Sequence, residues 1–163
     1  MLPYLNVLKP RETGLLAFIG VAAAFIAARG HPPLGLLGLV LLTVLIAAAG
    51  ANGLTNYLDR ELDALMPRTR RRALPAGRIR PPQKVLPLVI GLSVAGLALA
   101  WWLHPFAFGA DLVGTAAAVV WRKRVTCVFP QGVLASCAPV LMGWFAVRPA
   151  FSLELGLLCL MVA

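Results

Sequence analysis

The sequence predicts an all-α fold, a polytopic transmembrane helix bundle. Three observations carry this expectation. Hydrophobic residues fill 60% of the 163 positions and the mean hydropathy is +0.85, beyond the apolar share of soluble domains. Charged residues make up only 13%, and they are gathered: Asp59, Glu61 and Asp63 fall together, and eight of the fifteen Lys and Arg lie between Arg60 and Lys84. Between these clusters run apolar stretches of the length that crosses a bilayer.

Taken in order, the first stretch covers residues 13–28, between Lys9-Pro10-Arg11 and Arg29-Gly30-His31. The second covers residues 34–54 and then turns polar with no helix breaker before Pro67. A third covers 85–103, and His104-Pro105 makes a tight turn into a fourth at 106–121, closed by Arg122, Lys123 and Arg124. A fifth covers 132–147, and a sixth opens after Pro149 and is still in progress at Ala163. The first and fourth are short and are expected to tilt or to be extended by side chains that reach for the interface.

Charge then orients the bundle. With the N-terminus in the cytoplasm, thirteen cations lie inside, from Lys9, Arg11, the 60–84 loop and Arg122 to Arg124, while only Arg29 and Arg148 lie outside. That bias matches the preference of Lys and Arg for cytoplasmic loops. It also explains the net charge of +9 without nucleic acid, which is not expected as a partner. The lipid bilayer is. Paired glycines in the spans (Gly35 and Gly38, Gly91 and Gly96, Gly109 and Gly114) are read as helix-packing positions. Cys127, Cys137 and Cys159 have no metal or disulfide spacing and read as small apolar helix residues.

The chemistry sits where the second span meets the 60–84 loop. On a helix, Asn52, Asn56, Asp59 and Asp63 recur at steps of four, three and four, which stacks them on one face. Leu54, Leu58, Leu62 and Leu65 take the opposite side. Carboxylates one turn apart repel each other, and a divalent cation reverses the sign of that interaction. Mg²⁺ takes oxygen ligands and is commonly held by one or two carboxylates with substrate phosphates, which makes Asp59 and Asp63 candidate metal ligands, with Asn56 beside them. A solvated helix end neutralised by neighbouring arginines accounts for the same stripe. The arginine run favours the metal reading. Arg68, Arg70, Arg71, Arg72, Arg78 and Arg80 come directly after the acids, and guanidinium groups bind phosphate oxygens in pairs. Metal-holding acids beside phosphate-holding arginines are the two halves of a diphosphate clamp.

The run N-Y-L-D-R-E-L-D-A-L-M-P-R-T-R-R-R-A-L-P-A-G-R-I, from Asn56 to Ile79, resembles the first Asp-rich motif of the UbiA-type membrane prenyltransferases. Its D-R-x-x-D-x-x-M-x-R-T form is most similar to the protoheme IX farnesyltransferase (heme O synthase) branch. L-K-P-R-E-T-G-L-L before the first span, and W-R-K-R-V-T followed by A-P-V-L-M-G-W-F-A, resemble the same branch, so the likeness runs nearly the whole length. The resemblance implies a bundle of about nine spans, of which about five and a half are present here, with residues 1–163 forming the N-terminal part of one transmembrane domain. It implies farnesyl transfer from farnesyl diphosphate to heme B, giving heme O, in the cell inner membrane, with Mg²⁺ as cofactor. By matching position, Asp59 and Asp63 would be catalytic and hold the metal. Asn56, Arg60, Arg68, Arg72, Lys123 and Arg124 would bind the diphosphate. The family's Asn four residues before the first Asp is Thr55 here, with Asn56 beside it. The family's second Asp-rich motif is expected beyond Ala163, so catalysis would need a C-terminal half, and heme-handling membrane proteins are further expected partners. The alternatives are a transferase of the same type acting on a quinone precursor or other aromatic acceptor, and a non-catalytic membrane relic or assembly partner. A cation transporter fits the acids but not the dense arginines.

Other residues carry weaker expectations. Leu41, Leu45 and Phe108 are candidate walls for the prenyl chain. Asp111, inside the fourth span, is a candidate functional acid or the partner of an arginine. His31 and His104 are read as turn residues, and the tryptophans as an interfacial belt.

Overall fold

A computed structural model describes residues 2–120 and 129–163. The described residues form helices and connecting turns, with no strand among them. A short helix α1 (Leu2–Val7) precedes α2 (Pro10–Ala27), α3 (Leu34–Leu58) and a one-and-a-half-turn α4 (Arg60–Leu65). After the arginine loop, a 3₁₀ turn (Pro82–Val85) leads into α5 (Leu86–Leu103), followed by α6 (Pro105–Val120), α7 (Phe129–Val147) and α8 (Leu153–Val162). The helices α2, α3 and the combined 82–103 segment are long and apolar enough to cross a membrane; α6, α7 and α8 are apolar but shorter. The protein is an integral membrane α-bundle.

The breaks have local causes. Lys9 takes a left-handed conformation (φ 48°) directly before Pro10, which opens α2 at the position where proline's missing N–H costs nothing. Arg29 and Gly30, both with positive φ, end α2, and Pro32-Pro33 prevents its continuation. His104 is extended between α5 and α6, its imidazole Nδ1 accepting from Phe106 N at 3.2 Å, while His31 Nδ1 lies 3.2 Å from the Arg29 carbonyl. Both histidines are turn residues, as expected. Ser152 caps α8 through Leu155 N at 3.2 Å.

Packing follows the chain: α2 lies on α3, α3 on α5, α5 on α6, α6 on α7, and α7 returns to α2, closing a ring. Small residues allow the closest approaches. A methyl group added at Gly96 would sit 2.6 Å from Ala47 Cα on α3, and one at Gly114 would meet Ala138 on α7. The packing role expected for the span glycines therefore holds at Gly96 and Gly114. At Gly35, Gly38, Gly91 and Gly109 a methyl would meet nothing, because those positions face away from their neighbours; Gly20, Gly50, Gly53 and Gly143 take the role instead.

The main core is built from α2, α3, α5, α6, α7 and α8 around Trp144, Met142, Val40 and Val44. Trp144 is fully buried with its indole N–H on the Ala150 carbonyl at 3.0 Å, so it belongs to the core rather than to a belt; Trp101 and Trp102 are exposed at the end of α5. Cys137 in α7 is buried and Cys159 in α8 is half-buried, so both pack in the bundle as small helix residues. A second, smaller core lies under the arginine loop, where Val7 packs with Ala73, Leu74, Ile79, Val85 and Val89. That cluster folds the loop back over the end of α3 and carries α1 with it. Trp121, Arg122, Lys123, Arg124 and Cys127 lie outside the described residues.

Candidate diphosphate site

The polar stripe keeps its register because the helical hydrogen bonding runs across the α3–α4 junction. Asp59 N bonds to the Thr55 carbonyl at 2.9 Å, and Asp63 N to the Asp59 carbonyl at 2.8 Å. Asn56, Asp59 and Asp63 are consequently turned inward on one side, with exposures of 7%, 8% and 1%. A carboxylate this deep in a protein needs cations or hydrogen-bond donors. Arg72 supplies one: its Nη1 lies 3.0 Å from Asp63 Oδ2 and 3.5 Å from Asn56 Oδ1. Thr69, also buried, donates to the Asp63 carbonyl at 3.0 Å and pins the loop that brings Arg72 back over the acids.

The carboxamides hold the N-terminus in place. Asn56 Nδ2 donates to the Val7 carbonyl at 2.6 Å. Asn52 Nδ2 donates to Thr13 Oγ1 at 3.1 Å, and Thr13 in turn to the Leu8 carbonyl at 2.7 Å. The chain from Leu2 to Leu8 is thereby tied against α3, and it forms one wall of a narrow recess of about 10 Å³ that also borders Asn56, Asp63 and Arg72. Asn6 and Arg72 stand on the rim between that recess and an open basin of about 320 Å³ lined by Arg68 and Arg71.

The residues singled out from the sequence thus divide. Asn56, Asp63 and Arg72 meet at the recess, Asp59 is buried one turn away, and Arg68 joins Arg72 at the basin. Arg60 is engaged elsewhere: its guanidinium lies 4.5 Å from the centre of the Tyr57 ring, donates to the Tyr57 carbonyl at 2.9 Å and pairs with Glu61 at 3.0 Å. The expected contribution of Lys123 and Arg124 falls on residues outside those described. Asn6 borders both the recess and the basin although motif and spacing do not single it out, whereas Thr69, a position of the quoted motif, and Arg71, a member of the arginine run, are marked by the sequence. For Asn6 a signal exists, since Tyr4, Val7 and Leu8 give apolar positions at i, i+3 and i+4 ahead of Lys9-Pro10.

Among the described residues no group of three or more His, Cys, Asp or Glu gathers to hold a metal ion. Two carboxylates one helical turn apart suit Mg²⁺ when substrate phosphates and water complete the shell, and not a cage made by protein alone. The donor set fits an ion that arrives with a diphosphate.

A second cavity of about 70 Å³ lies inside the ring, between α2, α3, α6 and α7. Its walls are mostly alanine, with Leu16, Val44, Pro139 and Met142, and its polar points are Asn52, Asp111 and Thr115. Asp111 accepts from Thr115 Oγ1 at 3.4 Å, so among the described residues it leans on its own helix rather than on an arginine. Leu41, Leu45 and Phe108 do not line this cavity: Leu41 is 42% exposed on the outside of α3, and the other two pack at the edge of the core.

Residues 15–163 match the model of the UbiA prenyltransferase family. The chain belongs to that family. Among curated relatives, this UbiA-family chain is 43% identical over 157 residues to the protoheme IX farnesyltransferase of Desulforudis audaxviator, covering 92% of this chain and 49% of the relative. It is 38% identical over 168 residues to the protoheme IX farnesyltransferase of Alkalilimnicola ehrlichii, covering 98% of this chain and 54% of the relative. The chain therefore spans about half the length of the curated relatives it matches. A solved structure described as digeranylgeranylglyceryl phosphate synthase in membranes superposes with a TM-score of 0.83 over 97% of this chain and 56% of its own. At 17% identity that likeness shows the fold alone.

Proposed function

We propose that this chain provides the first diphosphate-binding half of a protoheme IX farnesyltransferase, in which the farnesyl group of farnesyl diphosphate is transferred to heme B to give heme O. The observation that carries the reading is the buried Asp63 with Arg72 at 3.0 Å, opening onto a basin lined by Arg68 and Arg71. The names of the relatives supply the substrates. The positive charge of the 60–84 loop supports a cytoplasmic N-terminus and a site at the inner face of the cell membrane.

In this reading Arg68, Arg71 and Arg72 donate hydrogen bonds to the diphosphate oxygens, and they favour the charge that builds there as the bond to farnesyl C1 lengthens. Asp59 and Asp63 would hold the ion. Mg²⁺, when bound, adds a further positive charge against the departing diphosphate. Thr69 and Asn56 fix the loop and Arg72 relative to the acids, and the Leu2–Val7 helix closes one side of the recess. The electron-rich vinyl group of heme B then attacks C1 as the diphosphate leaves. The cation left on the vinyl carbon beside the ring takes up a water molecule and loses a proton to give the hydroxylated side chain of heme O; the apolar interior keeps water from capturing the allylic cation first.

The test is heme O formation in membranes that contain this chain, supplied with farnesyl diphosphate and heme B, with and without Mg²⁺. Because the relatives are about twice as long, the assay is run with the chain alone and with the C-terminal half of the Desulforudis relative co-expressed. Mg²⁺-dependent heme O that disappears in Asp63→Ala supports the proposal. Heme O undiminished in Asp63→Ala contradicts it.

A further inference from the structure

We propose that Arg72 is a latch that keeps Asp63 from taking a divalent cation until a diphosphate arrives to draw the guanidinium away. The inference rests on the diphosphate reading and adds an order of events to it.

Asp63 is 1% exposed, and Arg72 Nη1 stands 3.0 Å from its Oδ2, an oxygen that would hold the ion. A divalent cation coming alone therefore competes for that oxygen with a guanidinium that is already paired and hydrogen-bonded. Arg72 is not locked, however. Its side chain is 36% exposed and borders both the recess over Asp63 and the open basin. Rotation of a long flexible side chain would carry the guanidinium from one to the other. Asn56 Oδ1, at 3.5 Å, marks the resting place, and Asn56 is itself held by the Val7 carbonyl.

The basin supplies the reason to move. Arg68 and Arg71 line it with Arg72, so three cations share one opening, and a diphosphate offers them paired oxygens. Once Arg72 turns to the diphosphate, the buried Asp63 gives up its contact with that guanidinium, which is costly at this depth. An ion carried by the diphosphate fills that place. Metal and diphosphate therefore bind with positive coupling, and by linkage each raises the other's affinity by the same factor. Arg72 acts as a positioning residue for the metal and as a ligand for the diphosphate.

The experiment uses the full chain in phosphatidylcholine nanodiscs, with Mn²⁺ as the paramagnetic stand-in for Mg²⁺ and inorganic diphosphate as the anion. Free Mn²⁺ is followed by its EPR signal. For Arg72→Gln the affinity for Mn²⁺ alone should rise about tenfold, while diphosphate no longer strengthens Mn²⁺ binding; factors of this size are usual for coupled sites. A folded Arg72→Gln protein with unchanged or weaker affinity for Mn²⁺ alone overturns the latch. If Arg72→Gln loses its helical circular dichroism, Arg72→Lys asks the same question. Lysine keeps the charge with a single donor point, and a gain of about threefold is expected, whereas no gain overturns the proposal. Asp63→Asn separates the two levels. Loss of Mn²⁺ binding in Asp63→Asn without a gain in Arg72→Gln refutes the latch alone; Mn²⁺ binding unchanged in Asp63→Asn refutes the site itself.

Discussion

Asn56 donates its side-chain N–H to the carbonyl of Val7 at 2.6 Å, across 49 positions of sequence. A carboxamide that the spacing places beside the candidate metal ligands thus gives its donor to the N-terminal arm, and its oxygen faces Arg72. The arm is therefore a built part of the site wall. Asn56→Ala removes the donor and leaves a buried carbonyl unpaired, at a cost of about 1–3 kcal/mol. Amide hydrogen exchange of residues 2–8 should accelerate in that variant while exchange in α5 stays as it was. Unchanged protection of the arm would show that this hydrogen bond does not hold it.

The arginines should not contribute alike. Arg71 borders the basin, whereas Arg60 stacks on Tyr57 and pairs with Glu61. Arg71→Ala is expected to weaken binding of farnesyl diphosphate about fivefold, the size of one solvent-accessible charged hydrogen bond. Arg60→Ala should change it less than about twofold. Equilibrium binding of radiolabelled farnesyl diphosphate to nanodisc samples compares the two directly.

Helix contact between α3 and α5 depends on Gly96, where an added methyl would lie 2.6 Å from Ala47 Cα. Gly96→Ala should destabilise the bundle by about 1–3 kcal/mol through overpacking. Gly91→Ala, on the same helix where nothing lies near the added methyl, should be neutral or slightly stabilising. Thermal melts in detergent followed by circular dichroism distinguish the pair.

Orientation is open to labelling. In a cysteine-free background, a cysteine introduced at the exposed Ala76 should react with an impermeant maleimide only from the cytoplasmic side. One introduced at the exposed His31 should react only from outside. The reverse pattern contradicts the charge argument.

Much of this arrangement is legible in the sequence, for physical reasons. Spans are set by local hydropathy, so their order and approximate limits can be read directly, including the turn at His104-Pro105. The stripe is legible because Asp59 keeps helical hydrogen bonding on both sides, so steps of four, three and four still map to one face. Other features depend on where helices sit around the ring, which local pattern does not encode. Leu41 faces outward because α3 meets α2 and α5 on its other sides. Trp144 is near a span end, as the belt reading requires, yet the turn that brings Ala150 over its indole makes it core. Helix α1 escapes a sequence reading because it is six residues long and its apolar partners, Ala73, Leu74 and Ile79, lie far along the chain. The direction of Arg60 is hidden for a similar reason, since a cation beside both Tyr57 and Glu61 can satisfy itself locally.

Under the proposed function the buried acids and the arginine basin act as one diphosphate site. The most direct measurement is the binding of farnesyl diphosphate to the full chain in neutral-lipid nanodiscs, with Mg²⁺ and then with excess EDTA, for the parent protein and for Asp63→Asn. A single site predicts saturable binding by the parent protein that EDTA weakens by an order of magnitude or more, and that Asp63→Asn reduces to the level of empty nanodiscs. Equal binding by the parent protein and Asp63→Asn, indifferent to EDTA, would contradict it.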